Sequence, residues 1–173
     1  ELIKEDLDHA ETRQVLDLIM DETRALFEAG KPKEILTVDN HADGPYVWMR
    51  MKREDPKRAE EVFELLQYNE GNSSGRGIGC ISWDGKVHAD QFWRDHTFGN
   101  VLERPFSQIW DDPQIELLHK LKDKKAHVKG RCAKCQFLNI CGGNFRARAE
   151  AFYGDEWAQD PACYLTDEEI GIK

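Results

Sequence analysis

Apolar residues recur at helical spacing near the start of the chain, over residues 9 to 29. A repeat of three to four residues places them on one face of a helix, and charged residues occupy the other face. Asp8 and Glu11 have the spacing of a capping box, and Gly30 is a typical stop. We therefore predict a helix with an inward stripe made of Val15, Leu18, Ile19, Ala25 and Leu26.

A short apolar run at residues 34–39 predicts a buried strand, followed by a loop over residues 40–45. A second helix is predicted from Pro56 to Tyr68, because Asp55 suits the N-cap and proline suits the first helical position. Its inward residues would be Ala59, Val62, Phe63 and Leu66. The order helix, strand, helix is typical of an α/β repeat.

Residues 69–77 are rich in Gly, Ser and Asn and predict a linker, which divides the chain into residues 1–70 and 71–173. Beyond the linker, Asp84-Gly85 lies between two apolar runs, which is a strong signal for a β-hairpin. Several aromatic side chains follow, and we predict that they form the core of a small domain. They are Trp83, Phe92, Trp93, Phe98, Phe106 and Trp110.

Shorter helices are predicted in the rest of the second part. One runs from residue 113 to about 121 with Asp112 as its cap, and another runs from about residue 144 to 152. Thr166 and Glu169 have the spacing of a capping box for a short terminal helix.

The composition is that of a globular chain, since 40% of the 173 residues are hydrophobic. A net charge of -9 argues against a nucleic-acid-binding surface, and the basic run at residues 120–125 is most simply a solvated face. The chain has no 18-residue apolar run and no signal-peptide pattern, so we expect no membrane span and a cytoplasmic location. Because it begins with Glu1, we expect it to be a truncated part of a longer protein.

Four of the five cysteines follow the pattern C-x2-C-x5-C, then 21 intervening residues, then C. Two thiolates separated by two residues can point at one metal centre from a single turn, while the others close the site. Soft sulfur ligands select zinc or iron-sulfur clusters over hard cations. Disulfides fit less well, because nothing marks the chain as secreted. The predicted ligands are Cys132, Cys135, Cys141 and Cys163.

The spacing favours a [4Fe-4S] cluster over zinc. A zinc site usually pairs two tight knuckles, whereas the second half here is C-x5-C and a lone cysteine. A cubane is wider than one ion, and Gly142-Gly143 would let backbone amides approach its sulfurs. A c-type heme is excluded because Gln136 stands where that motif needs histidine. A zinc-binding structural module remains the alternative.

This cysteine run resembles the auxiliary-cluster half of the SPASM domain, found at the C-terminus of many radical S-adenosylmethionine (SAM) enzymes. The phrases GCISWDGKVHADQFW, FGNV, GRCAKC, CGGNFRARAEA and DPACYLTDEEIG further resemble the radical SAM proteins of heme d1 biosynthesis, the NirJ family. The resemblance covers nearly the whole chain. It implies the α/β C-terminal portion of a partial (β/α)6 barrel, followed by a small α+β SPASM-like domain with a β-hairpin and an iron-sulfur loop.

The chain departs from the general SPASM pattern in lacking the ligands of a second auxiliary cluster. Asp90 and Phe145 stand where that pattern has cysteines, and residues 69–75 contain none. We therefore expect one auxiliary [4Fe-4S] cluster. Cys80 lies in a strand pattern, and we interpret it as a small buried hydrophobic residue.

In the barrels that the chain resembles, functional loops follow the carboxyl ends of strands. That position is held here by four candidate substrate-binding residues: Asp39, Asn40, His41 and Asp43. His41 is also a candidate acid or axial ligand to a substrate iron, and plain turn-forming roles are the alternative. Arg146 and Arg148 are candidates for binding substrate carboxylates, with structural ion pairs as the alternative.

The resemblance implies a radical SAM oxidoreductase that replaces propionate side chains of the tetrapyrrole 12,18-didecarboxysiroheme by oxo groups. It also implies SAM, a second [4Fe-4S] cluster and an electron donor such as a ferredoxin or flavodoxin. The C-x3-C-x2-C loop of the SAM-cleaving cluster is absent from these residues, so we do not expect the chain to be active alone. The alternatives are a radical SAM maturase of the alternative heme pathway or one that modifies a peptide.

Overall fold

The computed structural model describes residues 6 to 172, in which short helices surround a small antiparallel sheet. The elements in chain order are α1 (His9–Glu28), α2 (Asp43–Glu54), α3 (Pro56–Asn69), β1 (Cys80–Ile81), β2 (Lys86–His88), β3 (Gly99–Asn100), α4 (Phe106–Trp110), α5 (Glu116–Lys122), a 3-10 turn (Lys124–Ala126), α6 (Gly130–Lys134), α7 (Leu138–Cys141) and α8 (Arg146–Tyr153).

Helices α1 and α3 begin at the residues predicted from their capping signals. The Asp8 carboxylate accepts from the backbone N–H groups of Ala10 and Glu11 at 2.8 Å, and the Glu11 carboxylate accepts from Asp8 N, which confirms the capping box. Asp55 accepts from Arg58 N at the start of α3. These side chains satisfy N–H groups that have no partner within a helix.

The buried face of α1 differs from the predicted stripe. Leu16 is 6% exposed and packs in the core, whereas Leu18 is 60% exposed and Val15 is also exposed. The prediction was wrong for Val15, Leu18 and Ala25, because helical spacing offers several faces and tertiary contacts decide which one is buried. The Leu16 face is the one that meets the end of the chain, where Arg13 forms an ion pair with Glu169.

Residues 34–39 form no strand, so that prediction was wrong. The segment is irregular, and Ile35, Leu36 and Val38 are exposed. A strand is stabilised when a neighbouring strand takes up its N–H and C=O groups. Within residues 6–172 no strand lies beside this segment. The partial barrel implied by the resemblance is therefore not confirmed.

Helix α2 was not predicted, because Gly44 and Pro45 suggested a continued loop. Pro45 is instead the third residue of α2. The first four N–H groups of a helix have no acceptor within it, so a proline there costs no hydrogen bond. Asp43 belongs to the first turn of this helix.

The predicted hairpin is confirmed. Strands β1 and β2 pair antiparallel with Cys80 opposite His88, and β3 pairs with the other edge of β2. Gly85 in the turn has φ +84°, and a Cβ there would lie 2.4 Å from Asn100 Oδ1. Glycine is therefore required both by the left-handed backbone and by the approach of β3.

Buried side chains form two cores. The sheet core consists of Val87, Ala89, Trp93, Phe98, Ile109, Leu118, Leu121, Val128 and Trp157. The helical core consists of Leu16, Ala42, Tyr46, Phe137, Ile140, Tyr164, Leu165 and Ile170. The prediction that aromatic residues form the core holds for Trp93 and Phe98, and Trp110 is partly buried against them. It was wrong for Trp83, which is 88% exposed, and for Phe92 and Phe106, which are also exposed.

The predicted linker at residues 69–77 is packed, with Asn72 and Ser74 buried. The helical core also draws on both sides of it, since Leu16 and Tyr46 pack with Tyr164. The division of the chain at residue 70 stays a prediction.

Two smaller predictions near helix ends need adjustment. Helix α5 begins at Glu116 rather than residue 113, because Asp112 accepts from Gln114 N in a turn that precedes it. Thr166 and Glu169 form the reciprocal bonds of a capping box, but the residues after Thr166 form turns. Among the described residues, none of the helices has the length and apolar character needed to cross a membrane.

Candidate metal centre

Four cysteine side chains from three short segments line one cavity. Cys132 lies in α6, Cys135 follows it, Cys141 ends α7, and Cys163 lies in the turns near the end of the chain. Apolar side chains complete much of the wall, including Ala42, Pro45, Phe137, Leu138, Leu165 and Ile170. Cys80 lies in β1 and does not line this cavity.

The cavity lies where the two cores meet. Cys132 packs against the sheet core, whereas Cys135 and Cys163 pack against the helical core. Any ligand held by all four thiols would therefore link the two cores.

Backbone N–H groups interact with some of the sulfur atoms. Phe137 N donates to Cys135 Sγ at 3.3 Å, and the backbone amides of Gly143 and Leu165 act to lower the pKa of Cys141 and Cys163, against the larger effect of burial. Gly142 and Gly143 both have positive φ, which lets the chain turn around Cys141. Hydrogen bonds to sulfur are a recurring feature of iron-sulfur sites, so the four cysteines and the amides around them fit such a cluster.

Burial disfavours free thiolates in this cavity. It raises the pKa of Cys135 to about 11 and that of Cys141 to about 12, and it also raises the pKa of Cys163. A metal centre would supply the positive charge that keeps coordinating thiols deprotonated. Among residues 6–172, no three His, Cys, Asp or Glu side chains are placed to hold a single metal ion.

Two buried cations flank the cysteines. Arg146, 1% exposed, donates to the carbonyl oxygens of Gly143, Glu156 and Ala158, and its Nε has no hydrogen-bond partner. The nearby Cys132 thiol acts to raise the pKa of this guanidinium, although burial lowers it overall.

Lys124, the second cation, is 5% exposed and donates to the backbone and side-chain oxygens of Asn72. Burial, followed by the charge of Arg146, lowers the pKa of Lys124 to about 7, while the Cys141 thiol acts in the opposite direction. The prediction that residues 120–125 form a solvated face was therefore wrong at Lys124.

Asp160 joins the last cysteine to α8. Its buried carboxylate accepts from Phe145 N at 3.0 Å, from Ala162 N at 2.8 Å and from Arg148 at 2.8 and 3.0 Å. Ala162 directly precedes Cys163, so these bonds position that thiol relative to the Gly142-Gly143 turn.

The candidate substrate-binding segment, residues 39–43, lies beside the cysteine cavity, which Ala42 lines. Asn40 donates to Ala162 O at 3.0 Å and accepts from the Asn144 amide at 2.8 Å, and His41 N donates to Asn144 Oδ1 at 3.1 Å. Asn40 therefore holds the loop in place through both ends of its amide group.

His41 and Asp39 line an open cleft of about 290 Å³. Its walls include the aromatic rings of Phe92 and Phe145, whose centroids lie 5.7 Å apart. Arg148 lines an adjoining cavity of about 300 Å³ with the same two rings. Burial, together with the charges of Lys124 and Arg148, lowers the pKa of His41, so the neutral imidazole is favoured.

Two of the predicted substrate-binding residues, Asp43 and Arg146, lie outside this cleft. Asp43 is buried, its carboxylate accepts from Tyr164 Oη at 2.8 Å, and burial raises its pKa. Arg146 is enclosed by backbone carbonyls. Neither lines the cleft, and their assignment to the substrate site stays a prediction.

Several residues that build this centre were not among the predicted site residues, namely Asn72, Lys124, Asn144 and Asp160. Asp160-Pro161 shortly before a ligand cysteine is a typical turn signal and could have drawn attention to that carboxylate. The burial of Lys124 has no local signal, because it depends on contacts with residues 52 positions away.

Comparison with known proteins agrees with this geometry. The SPASM family, described as an iron-sulfur cluster-binding domain, matches residues 74–136, which include Cys132 and Cys135. The chain thus carries an iron-sulfur domain of the SPASM class. It belongs to the radical SAM/SPASM family, which confirms the resemblance seen in the sequence.

The curated relatives are synthases of heme-type compounds. Over 173 aligned residues the chain is 61% identical to an Fe-coproporphyrin III synthase of Methanosarcina barkeri, covering 98% of this chain and 43% of that protein. It is 43% identical to a pre-heme d1 synthase of Dinoroseobacter shibae, covering 96% and 42%. It is 40% identical over 125 residues to an AdoMet-dependent heme synthase of M. barkeri, covering 69% and 34%.

The chain therefore spans about two fifths of the length of the first two relatives. No solved structure matches it significantly.

The close packing of Gly71 against Cys141 generates a testable prediction. A Cβ on Gly71 would lie 2.2 Å from the Cys141 carbonyl carbon, so we expect Gly71→Ala to displace Cys141. We expect a loss of about 1–3 kcal/mol of stability from overpacking, and loss of most of the bound iron. Urea unfolding and iron content measure the two effects.

Gly30→Ala is the matched control. Gly30 has φ +71° against +69° for Gly71, but a Cβ there would meet nothing within 4 Å. Both variants therefore carry the same backbone strain of about 1 kcal/mol, and only Gly71→Ala carries the clash. Equal iron content in the two variants would contradict the prediction.

Proposed function

We propose that Cys132, Cys135, Cys141 and Cys163 bind one [4Fe-4S] cluster. The observation that carries this proposal is the single cavity lined by all four thiols, where Phe137 N donates to Cys135 Sγ at 3.3 Å. The match to an iron-sulfur domain supports iron over the alternative of zinc. A cluster held there would supply one-electron chemistry.

Removal of single cysteines tests the ligand set. A cluster that loses one of four thiolates has an open iron, so we expect Cys135→Ala to lose most of its iron and labile sulfide. Cys80→Ala is the control, because Cys80 lies in β1 outside the cavity. Comparable iron loss in the two variants, or stoichiometric zinc without sulfide in the unaltered chain, would defeat this assignment.

We further propose that the chain is part of a radical SAM enzyme that modifies a tetrapyrrole and produces Fe-coproporphyrin III. The relative at 61% identity carries that product in its name, and the pre-heme d1 synthase is less similar at 43%. This replaces the heme d1 product implied by the sequence resemblance, which stays the second candidate. We take 12,18-didecarboxysiroheme to be the substrate of both candidate reactions.

The cleft lined by His41, Phe92 and Phe145 is the proposed site for the tetrapyrrole. Two aromatic rings offer apolar surface to a macrocycle, and the half-exposed guanidinium of Arg148 can attract a carboxylate, although Asp160 already engages it. His41 in its neutral form could bind a substrate iron. SAM, a second cluster and an electron donor such as a ferredoxin or flavodoxin are proposed for the full-length protein.

Product analysis distinguishes the two candidate reactions. Full-length protein would be incubated without oxygen with SAM, a reductant and 12,18-didecarboxysiroheme, and the products would be identified by mass. We expect the mass of Fe-coproporphyrin III. The mass of pre-heme d1 would support the second candidate, and an unchanged tetrapyrrole would contradict both.

Optical titration with the same tetrapyrrole tests the cleft. We expect His41→Ala and Arg148→Gln to weaken binding by about tenfold each, which corresponds to about 1.4 kcal/mol. The comparison uses only protein with full iron content, because Arg148 also bonds to Asp160. Arg58→Gln, an exposed charge on α3, is the control. Unchanged affinity in both cleft variants would remove these residues from the site.

A further inference from the structure

Two cations, Lys124 and Arg146, are almost fully buried near the cysteines and form no salt bridge within the described part of the chain. Asp160, which is already bonded to Arg148, acts to raise the pKa of Arg146. No carboxylate is among the main influences on the pKa of Lys124. Burying a charge is costly unless an opposite charge or metal compensates it. Their charges also oppose each other, since each cation lies within electrostatic reach of the other. An anion is therefore expected nearby.

Each cation lies near a cysteine. Arg146 lies next to Cys132, and its Nε is a buried donor that lacks a partner. Lys124 bonds to Asn72, whose backbone N–H in turn donates to Cys141 O at 3.2 Å. The two cations thus flank two of the four proposed ligands.

The proposed cluster has the charge that these cations need. A [4Fe-4S] core bound by four thiolates is a net anion, and reduction adds one more negative charge. Positive charge close to such a cluster stabilises the reduced form more than the oxidised form. The effect is strong where burial keeps water from screening it.

We propose that Lys124 and Arg146 are the buried counter-charges of the cluster and raise its reduction potential. This inference rests on the proposed metal centre. The two side chains are positioning residues that would act through the cluster, and bonds to Asn72 and to backbone carbonyl oxygens hold them near the cysteines.

A redox titration of the chain, followed by electron paramagnetic resonance, tests the inference. Lys124→Gln keeps a donor for Asn72 but removes the charge. We expect the ratio of reduced to oxidised cluster at a fixed potential to fall about tenfold, a shift of about 59 mV for one electron. Arg146→Gln should lower the ratio of reduced to oxidised cluster as well. Arg146→Lys keeps the charge, so its ratio should stay closer to that of the unaltered chain.

Lys129→Gln is the matched control. It removes the same charge three residues before Cys132, but from an exposed side chain that pairs with Asp155 at 2.8 Å. In Lys129→Gln we expect the ratio of reduced to oxidised cluster to change by less than about twofold, because solvent screens exposed charges. An equal shift in Lys124→Gln and Lys129→Gln, or no shift in Lys124→Gln with full iron content, would overturn the inference.

Loss of the cluster has its own interpretation. If Lys124→Gln folds but binds no iron, restoration of iron by Lys124→Arg would support the need for a charge, and failure to restore it would overturn the inference. An unaltered chain that binds no iron-sulfur cluster would instead contradict the proposed metal centre. Iron and sulfide content therefore separates the two failures.

Discussion

Burial of four thiols in one apolar cavity is the constraint around which the chain is arranged. Burial raises the pKa of Cys135, Cys141 and Cys163, so their thiolates need hydrogen-bond donors and positive charge from the surroundings. Phe137, Gly143 and Leu165 contribute backbone N–H groups, and Arg146 and Lys124 contribute charge. Much of the irregular backbone between α6 and the end of the chain serves this purpose.

The position of the cavity between two cores explains how such short helices and strands can form a stable structure. Several helices here have only four to seven residues, and the strands have two or three. Such elements bury little apolar surface by themselves. Thiols that belong to both cores can join them through one ligand, so a bound cluster would add to folding stability as well as to chemistry.

Features that depend on neighbours in sequence were predictable. The capping box at Asp8 and Glu11, the hairpin around Gly85 and the cysteine spacing are all local, and the structure has each of them. Features that depend on distant contacts were not. Nothing near Leu16 distinguishes it from Leu18, and residues 34–39 have strand composition without a neighbouring strand among the described residues. Lys124 and Asp160 likewise acquire their roles only through tertiary contacts.

The close approach of Gly71 to Cys141 also has a consequence for electron transfer. Gly71 and Asn72 line the cleft on one side, and on the other they touch the Cys141 backbone, with Asn72 N bonded to Cys141 O at 3.2 Å. A single thickness of polypeptide therefore separates the cleft from the cysteine cavity. An electron passing between a cluster and a molecule in the cleft would have a short path through one hydrogen-bonded peptide, with no need for an intervening cofactor.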